Sequence, residues 1–398
     1  MLSQDQWLLP EGIEDVFPEE SERLEALGRR IFDLFASWGY RLVSPPLIDF
    51  VDSLQVGTGR ALDLNTFKLT DPISGRLIGI RADMTPQVAR IDARTAKGGV
   101  PSRLCYKGAV LKTHSGHLDP SRNPLQLGAE LYGSGAPSAS LEVMRLMLEM
   151  FKTAEISPVY IDLGHVAIYR ELAKMAGLME EQEARLFDIL QRKDPTDLRG
   201  FLSEESVDRS IGEMIVALLD LNGPKQMLTE AKAALQSAGP VVLSAVQELE
   251  LFESNLSALY PDLPVHFDLA ELRGYEYHTG IVFAAFVPGQ GREIARGGRY
   301  DEIGRVFGQA RPAIGFSADL KQLARLGCTV APGGDNSIYA PFNLDSTARA
   351  QIQGLRANGR VVVEALSGDC PGPRALGCGQ ELQLQSDKSW KVIDLERG

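Results

Sequence analysis

Small polar side chains stand in two segments of the sequence at spacings that suit a small ligand. Asp83 and Thr85 lie close together in IRADMTPQVAR, and both offer oxygen acceptors to an amine. Gln126 and Glu130 lie four residues apart in LQLGAELYG, whose alternation predicts a strand. They therefore share one face, about 13 Å apart along the strand, where Glu130 could hold an ammonium or imidazolium group. The competing interpretation is an ordinary solvent-facing side of a sheet.

A second group of polar residues follows in LRGYEYHTG and ARGGRYDEIG. Arg273 suits a carboxylate because its guanidinium can form two parallel hydrogen bonds, and Tyr275, Tyr277 and His278 follow it closely. Two adjacent glycines shortly before Tyr300 allow a close approach of the backbone to a phosphate or to a smaller ligand. Acidic groups for an amine, an arginine for a carboxylate and rings for a side chain together predict an amino-acid pocket.

The bulk composition argues against several other functions. The chain of 398 residues carries a net charge of -12 without a Lys/Arg-rich block, so it would repel nucleic acid. Its five histidines show no metal-ligand spacing, and it has no phosphate-binding loop. We therefore expect no metal and no cofactor. The four cysteines form no regular framework, the N-terminal segment lacks an apolar core, and the apolar runs are too short to span a bilayer. These features predict a cytoplasmic chain.

The turn GSGAPS, residues 133–138, comes nearest to a dinucleotide-binding fingerprint, because it follows a strand and precedes a helix. Its last position is Ser138, where the fingerprint has Gly or Ala. The strand before it carries Gln126 and Glu130 on one face, whereas the first strand of a dinucleotide fold is buried on both faces. We therefore interpret the turn as a simple strand-to-helix connection.

The hydrophobic pattern predicts an α+β fold with a largely antiparallel sheet flanked by helices. The apolar spacing of residues 21–38 predicts a helix, and YRLVSPPLIDF predicts one short strand that Pro45 and Pro46 confine to an edge or an interface. Further strands are predicted at LIGIRAD, RLCYKGAVL and LQLGAELYG, and residues 166–260 predict a helical insertion. We expect a core over residues 1–328 and a linker over 330–337. A small α/β C-terminal domain follows over 337–398, with a β-α-β piece and a possible final hairpin.

Several segments, in this order, resemble histidyl-tRNA synthetases: LPEGIEDVFP, WGYRLVSPPLID, IRADMTPQVAR, YKGAVLK followed by NPLQLGAELYG, RGYEYHTGIVF, and ARGGRYDEIG followed by PAIGFSADL. The resemblance covers roughly residues 9–326 and implies a class II aminoacyl-tRNA synthetase-like sheet. It also implies which residues surround bound histidine in that family: Thr85, Gln126, Glu130, Arg273, Tyr277 and Tyr300. Asp83 stands where the family has Glu, and His278 stands where it has Tyr.

The residues that face ATP in that family depart from its pattern. Lys112 replaces an Arg that grips the α-phosphate, His114 replaces a Glu that reads the adenine, and Pro124 replaces a stacking Phe. Gln322 replaces an Arg at the triphosphate, and Asp319 replaces a small glycine. Lysine lacks the guanidinium fork of arginine, and glutamine lacks its charge. These replacements predict that the chain does not use ATP to activate an amino acid.

A synthetase-like core with a histidine pocket, no ATP grip and a short acidic tail resembles the regulatory subunits of ATP phosphoribosyltransferase. That resemblance implies a non-catalytic protein in a hetero-oligomer with the short-form catalytic subunit, with L-histidine as a feedback effector. It also implies a homodimer core that pairs around SPPLID, residues 44–49. Histidine could act in this pocket or at the interface with the partner. The alternatives are a divergent ATP-dependent amino-acid-activating ligase and a tRNA-binding or sensor module, which the negative charge opposes.

Overall fold

The protein, analysed as a computed structural model, is described here for residues 8–54, 59–96, 98–114, 121–270, 277–308, 310–327, 337–342, 344–368 and 370–395. It divides into two compact units. One unit comprises Met1–Val16 and Leu24–Cys328, and the other comprises Phe17–Arg23 and Thr329–Gly398.

The first unit is built on a nine-stranded sheet and a three-stranded sheet. Its strands are β1 (Arg41–Leu42), β2 (Ile48–Phe50), β3 (Phe67–Thr70), β4 (Leu77–Ile80), β5 (Ser102–Ala109), β6 (Leu125–Tyr132), β7 (Tyr160–His165), β8 (Asn222–Gly223), β9 (Val265–Asp268), β10 (Ile281–Phe286), β11 (Ala295–Arg299) and β12 (Ala313–Asp319). The large sheet has the order β1-β5-β6-β12-β11-β10-β7-β9-β8, and the small one has the order β2-β4-β3.

All neighbours in the large sheet run antiparallel, except that β1 pairs with β5 and β7 pairs with β9 in parallel. This arrangement confirms the predicted α+β class with a largely antiparallel sheet. It also excludes a dinucleotide fold at GSGAPS, because both neighbours of β6 are antiparallel to it.

Helix α1 (Pro18–Ser37) begins in the second unit, and its residues from Leu24 onward belong to the first. The other helices of the first unit are α2 (Val51–Leu54), α3 (Gly59–Asn65), α4 (Thr85–Thr95), α5 (Pro137–Thr153), α6 (Val166–Met175), α7 (Glu180–Arg192), α8 (Pro195–Glu204), α9 (Arg209–Ala217), α10 (Met227–Ala234), α11 (Pro240–Leu259) and α12 (Leu320–Leu326). Helix α1 buries Leu24, Leu27, Ile31 and Phe35, which recur at helical spacing. Six helices, α6–α11, follow one another between residues 166 and 259, and their apolar sides join the main hydrophobic core.

The segment YRLVSPPLIDF forms two strands, so the prediction of a single strand was wrong. Strand β1 joins the large sheet beside β5, and β2 joins the small sheet beside β4. The chain changes sheets at Pro45 and Pro46, which have no N–H to donate to a ladder. Their carbonyls instead accept hydrogen bonds from Nη1 of the buried Arg81, at 2.7 and 3.2 Å.

The second unit contains a four-stranded sheet in the order β14-β13-β15-β16. Its elements are β13 (Ile338–Ala340), α13 (Ser346–Ala357), β14 (Val362–Glu364), β15 (Gln380–Leu384) and β16 (Trp390–Asp394). The parallel β13/β14 pair flanking α13 is the predicted β-α-β piece, and β15/β16 is the predicted hairpin. Residues 330–336 of the predicted linker lie outside the described residues. Within the described part of the chain, no helix has the length and apolar character needed to cross a membrane.

Candidate functional site

Strand β6 is buried on both faces, although the sequence allowed one face to be solvated. Gln126 is 9% exposed and Glu130 is 1% exposed. Glu130 lies opposite Gly315 of β12, where an added Cβ would stand 1.4 Å from the Glu130 Oε2 atom. The glycine therefore provides the space that the carboxyl group occupies. Because burying an unpaired carboxylate is costly, its partners define the site.

The Glu130 carboxyl group is held by three hydroxyl groups. Thr85 Oγ1 and Tyr106 Oη donate to Oε1 at 3.2 and 3.0 Å, and Tyr300 Oη donates to Oε2. Burial raises the pKa of Glu130 to about 8, although the hydrogen bonds from Tyr300 and Tyr106 oppose this rise, and the negative charge of Asp83 adds to it. At neutral pH the free pocket therefore favours a protonated carboxyl group, which could transfer its proton to a basic ligand.

A second set of contacts fixes the junction before α4. Gln126 Nε2 and the Thr85 backbone N–H both donate to Asp83 Oδ1, at 3.0 and 2.9 Å. The backbone N–H of Met84 donates to Gln126 Oε1 at 2.9 Å. Both ends of the Gln126 amide are thus used to tie β6 to this turn. The result places the carboxylate of Asp83 and the hydroxyl of Thr85 on the same side of the sheet as Glu130.

Three rings close another side of the site. The centroids of Tyr277 and His278 are 4.2 Å apart, and each ring lies within 6.5 Å of Tyr300. Burial raises the pKa of the Tyr277 phenol to about 12, with Arg296 opposing the rise. A side chain at Gly298 would place its Cβ 2.9 Å from the His278 ring, so this glycine leaves room for the ring rather than for phosphate.

The structure brings together seven of the eight predicted pocket residues: Asp83, Thr85, Gln126, Glu130, Tyr277, His278 and Tyr300. Arg273 and its neighbour Tyr275 lie outside the described residues. Sequence reasoning missed Tyr106, although a glycine inside a strand, Gly128, indicated the close approach of another group. Gly128 faces the pocket side of β6 opposite Tyr106, and an added Cβ would stand 2.4 Å from the Tyr106 hydroxyl.

A cavity of about 120 Å³ adjoins the pocket and shares Asp83 and Gln126 with it. Among the five residues that replace ATP-facing residues of the synthetase pattern, four line this cavity, namely Lys112, Pro124, Asp319 and Gln322. The fifth, His114, is exposed and pairs with Thr113 at 2.8 Å. These four replacements therefore lie together beside the amino-acid pocket, although they are scattered in the sequence.

The histidines and cysteines gather at no metal centre in the described ranges, where no group of three His, Cys, Asp or Glu side chains could hold a metal ion. Cys105, Cys370 and Cys378 are free thiols. His117, the neighbour of His114 in sequence, lies outside the described residues.

Two family models match this chain. The histidyl-tRNA synthetase model matches residues 12–323, and the model of the ATP phosphoribosyltransferase subunit HisZ C-terminal domain matches residues 335–393. The chain is also similar to a solved structure described as an ATP phosphoribosyltransferase regulatory subunit/histidyl-tRNA synthetase from Bacillus halodurans. That similarity has a TM-score of 0.81, 26% identity, and coverage of 94% of this chain and 97% of the other. A histidyl-tRNA synthetase from Nostoc sp. PCC 7120 shares the fold, with a TM-score of 0.76 at 18% identity over 98% and 97% of the two chains.

Curated relatives match over nearly their whole length. The ATP phosphoribosyltransferase regulatory subunit of Methylococcus capsulatus is 52% identical, over 98% of this chain and 96% of the relative. The protein of the same name from Thioalkalivibrio sulfidiphilus is 49% identical, over 99% of this chain and 100% of the relative. With a synthetase-like unit that gathers the predicted amino-acid pocket and a C-terminal segment of the HisZ type, the chain belongs to the ATP phosphoribosyltransferase regulatory subunit family.

Proposed function

We propose that this chain is the regulatory subunit that a short-form ATP phosphoribosyltransferase catalytic subunit requires for the first step of histidine biosynthesis. Near-full-length similarity to regulatory subunits of that name carries the proposal. We take residues 1–328, with the helical insertion at 166–260, as the synthetase-like domain and residues 337–398 as a second domain. The cytoplasmic setting implied by the resemblance stays a prediction.

The pocket around Glu130 is proposed to bind L-histidine as the feedback effector. Its buried carboxyl group suits the imidazole ring, because transfer of its proton would give an ion pair of carboxylate and imidazolium. Asp83 and Thr85 offer acceptors to the α-ammonium group, and Tyr277 adds a ring surface. Arg273 is proposed for the carboxylate. Binding changes activity only if histidine favours one of two states of the complex.

The chain is proposed to lack catalytic activity of its own. The cavity where the synthetase resemblance places ATP is lined by Lys112, Pro124 and Gln322. Proline offers no aromatic surface for an adenine, and glutamine offers no charge for a triphosphate. These losses support regulation rather than amino-acid activation.

A homodimer is proposed through the small β2-β4-β3 sheet. Directly paired residues share a face, and one face of this sheet carries only apolar side chains, none of them fully buried. These are Ile48, Phe50, Phe67, Leu69, Ile78 and Ile80. An apolar sheet face left in water is typical of an interface. A second copy of the chain is the occupant proposed here, because this sheet contains the segment that the resemblance assigns to dimer pairing.

Reconstitution tests the regulatory role. The chain is mixed with the short-form catalytic subunit of the same organism, ATP and phosphoribosyl pyrophosphate, and product formation is followed with and without histidine. We expect this chain to change turnover of the partner and histidine to suppress the mixture. Failure of the two chains to associate or to affect turnover would refute the role. Histidine-dependent exchange of pyrophosphate into ATP by this chain would favour the ligase.

Matched variants test the two finer proposals. Glu130→Gln is expected to weaken histidine binding and inhibition at least tenfold, whereas Glu253→Gln, in a buried carboxyl group on α11, should not. Unchanged calorimetric affinity in Glu130→Gln would place the effector elsewhere.

The dimer has its own matched pair of variants. Leu69→Lys should yield monomers in analytical ultracentrifugation, whereas Leu251→Lys on α11 should not. The two leucines are equally exposed, at 52% and 51%, so only the surface differs between the variants. Dimers of undiminished stability in Leu69→Lys would exclude this face.

A further inference from the structure

Tyr132 places a buried hydroxyl group on the pocket side of strand β6. It follows Glu130 by two residues, so the two side chains share one face of the strand. Tyr132 is 2% exposed, and its Oη atom completes no hydrogen bond of normal length and angle within the described residues. Buried hydroxyl groups are nearly always paired, because an unpaired one has lost its contact with water without a replacement. The surroundings of this hydroxyl group therefore need an explanation.

The hydroxyl group of Tyr300 is a polar neighbour of this group. The rings of Tyr132 and Tyr300 meet edge to face, with centroids 6.3 Å apart. Both residues are tied to Ala313, which pairs with Tyr132 across the ladder to β12 and accepts the backbone N–H of Tyr300 at 2.9 Å. Burial raises the pKa of the Tyr300 phenol well above its usual value, and the charge of Glu130 and the hydroxyl group of Tyr132 add to the rise. Tyr132 thus extends the row of polar groups that links Tyr300 to Glu130.

The direction of the hydrogen bonds along this row depends on whether Glu130 is ionised. A carboxylate only accepts hydrogen bonds, so it takes the O–H of Tyr300. The lone pairs of the Tyr300 hydroxyl group are then open to the O–H of Tyr132. Every O–H in the row has an acceptor in this state, and each hydrogen bond strengthens the next.

Protonation of Glu130 reverses the row. Oε1 already accepts from Thr85 and Tyr106, at 3.2 and 3.0 Å, so the acid proton is placed on Oε2 and points to the Tyr300 hydroxyl group. Tyr300 must then turn its own O–H toward Tyr132. The O–H of Tyr132 is left without an acceptor in the described part of the chain, and an unsatisfied buried donor is unfavourable.

We propose that Tyr132 is a positioning residue of the histidine pocket, which favours the ionised form of Glu130 by donating to the hydroxyl group of Tyr300. Because proton transfer to histidine ionises Glu130, the same hydrogen bond favours histidine binding. The effect on histidine rests on the proposed effector site, whereas the effect on Glu130 does not.

Other ionisable side chains face this row from the elements around it: Asp83 before α4, Asp92 on α4, Tyr106 on β5, and Tyr277 and His278 before β10. Asp92 forms an ion pair with Arg311 at 3.0 Å. Burial raises the pKa of Tyr106, and it raises that of Tyr277 to about 12, so both phenols stay protonated up to pH 9.5. Loss of the Tyr132 hydroxyl group leaves all of these side chains in place.

Urea unfolding of Tyr132→Phe without histidine tests the proposal directly. The substitution keeps the ring, but the ionised state loses a satisfied O–H, whereas the protonated state loses an unsatisfied one. The Glu130 titration should therefore move from about 8 upward by about one pH unit. The ratio of the unfolding equilibrium constants of variant and parent should accordingly rise about tenfold between pH 7 and pH 9.5.

Tyr169→Phe is the matched control for this measurement. Tyr169 on α6 is 1% exposed and donates to the carbonyl oxygen of Glu183 at 2.6 Å. Its loss also removes one phenol that titrates in the unfolded chain, so it corrects for that contribution. The ratio for this control should be the same at every pH, and equal pH dependence of the two ratios would overturn the proposal. In a Glu130→Gln background, Tyr132→Phe should also give a constant ratio, and a ratio that still rises with pH would assign the effect to another group.

Calorimetry with histidine is the second arm of the test. Near pH 7, histidine should bind Tyr132→Phe about tenfold more weakly than the parent. The difference should narrow toward pH 9.5, where Glu130 is already ionised before histidine binds. A purely structural role of Tyr132 would weaken binding equally at all pH values, and that result would contradict the proposal. If the parent itself binds no histidine, the effector proposal fails, and the unfolding ratios still decide the role of Tyr132.

Discussion

Replacement of Glu130 by Gln should change how stability depends on pH in the protein without effector. Burial raises the pKa of this carboxyl group from 4.5 to about 8 in the folded chain. Between these two values the folded protein retains a proton that the unfolded chain has released. Rising pH therefore favours unfolding, and the loss of stability is complete only above the folded pKa. Glutamine has nearly the same shape as the protonated acid and does not titrate.

The size of the effect follows from the width of this window. Each pH unit within it changes the free energy of unfolding by about 1.4 kcal/mol. About 5 kcal/mol therefore accumulates between pH 4.5 and pH 8. We expect Glu130→Gln to match the parent within about 1 kcal/mol near pH 5 and to be several kcal/mol more stable near pH 8.

Urea unfolding of both proteins at several pH values between 5 and 8.5 measures this difference. Subtracting the free energy of unfolding of the parent from that of Glu130→Gln at each pH removes the contribution of all other titrating groups, because the two proteins share them. Glu204→Gln is the control, because a hydrogen bond from Arg185 holds the pKa of this exposed carboxyl group below its usual value. Glu204 is then largely ionised in both states above about pH 5.5, so its difference curve should be nearly flat there. A flat curve for Glu130→Gln would refute the argument that burial keeps Glu130 protonated.

Two further predictions concern the same pocket. Histidine affinity should be highest between the imidazole pKa of about 6.5 and the Glu130 value of about 8, and should fall about tenfold per pH unit above 8. Calorimetry of Glu130→Gln should show no such fall, and a fall that persists would assign the proton to another group. Gly315→Ala should weaken histidine binding at least tenfold and lower the melting temperature, because its Cβ would stand 1.4 Å from Glu130 Oε2. Gly200→Ala on α8 has nothing within 4 Å of its Cβ and should be neutral or stabilising, so equal effects of the two variants would argue against the clash.

Much of the fold could be predicted from local patterns in the sequence. Helix α1 shows its apolar stripe directly, and β6 shows its alternation, because each pattern reports one buried side of one element. The division of YRLVSPPLIDF between two sheets could not be predicted in this way. It depends on Arg81, which lies in a different segment and binds the carbonyls of Pro45 and Pro46.

The candidate site was predictable to a different extent. The resemblance named eight residues in four segments, and the structure places seven of these eight residues together. Neither pattern nor resemblance indicated that Glu130 would be fully buried, because burial depends on strand β12 lying beside β6. The same holds for Tyr106, which meets Glu130 across the β5/β6 ladder. Gly128 and Gly315 were visible in the sequence. That each makes room for a neighbouring side chain, Tyr106 and Glu130 respectively, follows only from the pairing of the strands.

The pairing of β6 with β12 also bears on the order of folding. Residue 130 lies opposite residue 315, and the six helices α6–α11 are inserted between the two strands in sequence. Helical segments with local contacts form quickly, whereas a ladder between distant strands must first close a long loop. During synthesis, β6 therefore leaves the ribosome well before its partner, with one edge still unpaired. The pocket around Glu130 becomes complete only after β12 has been added, so it belongs to the last-formed part of the sheet.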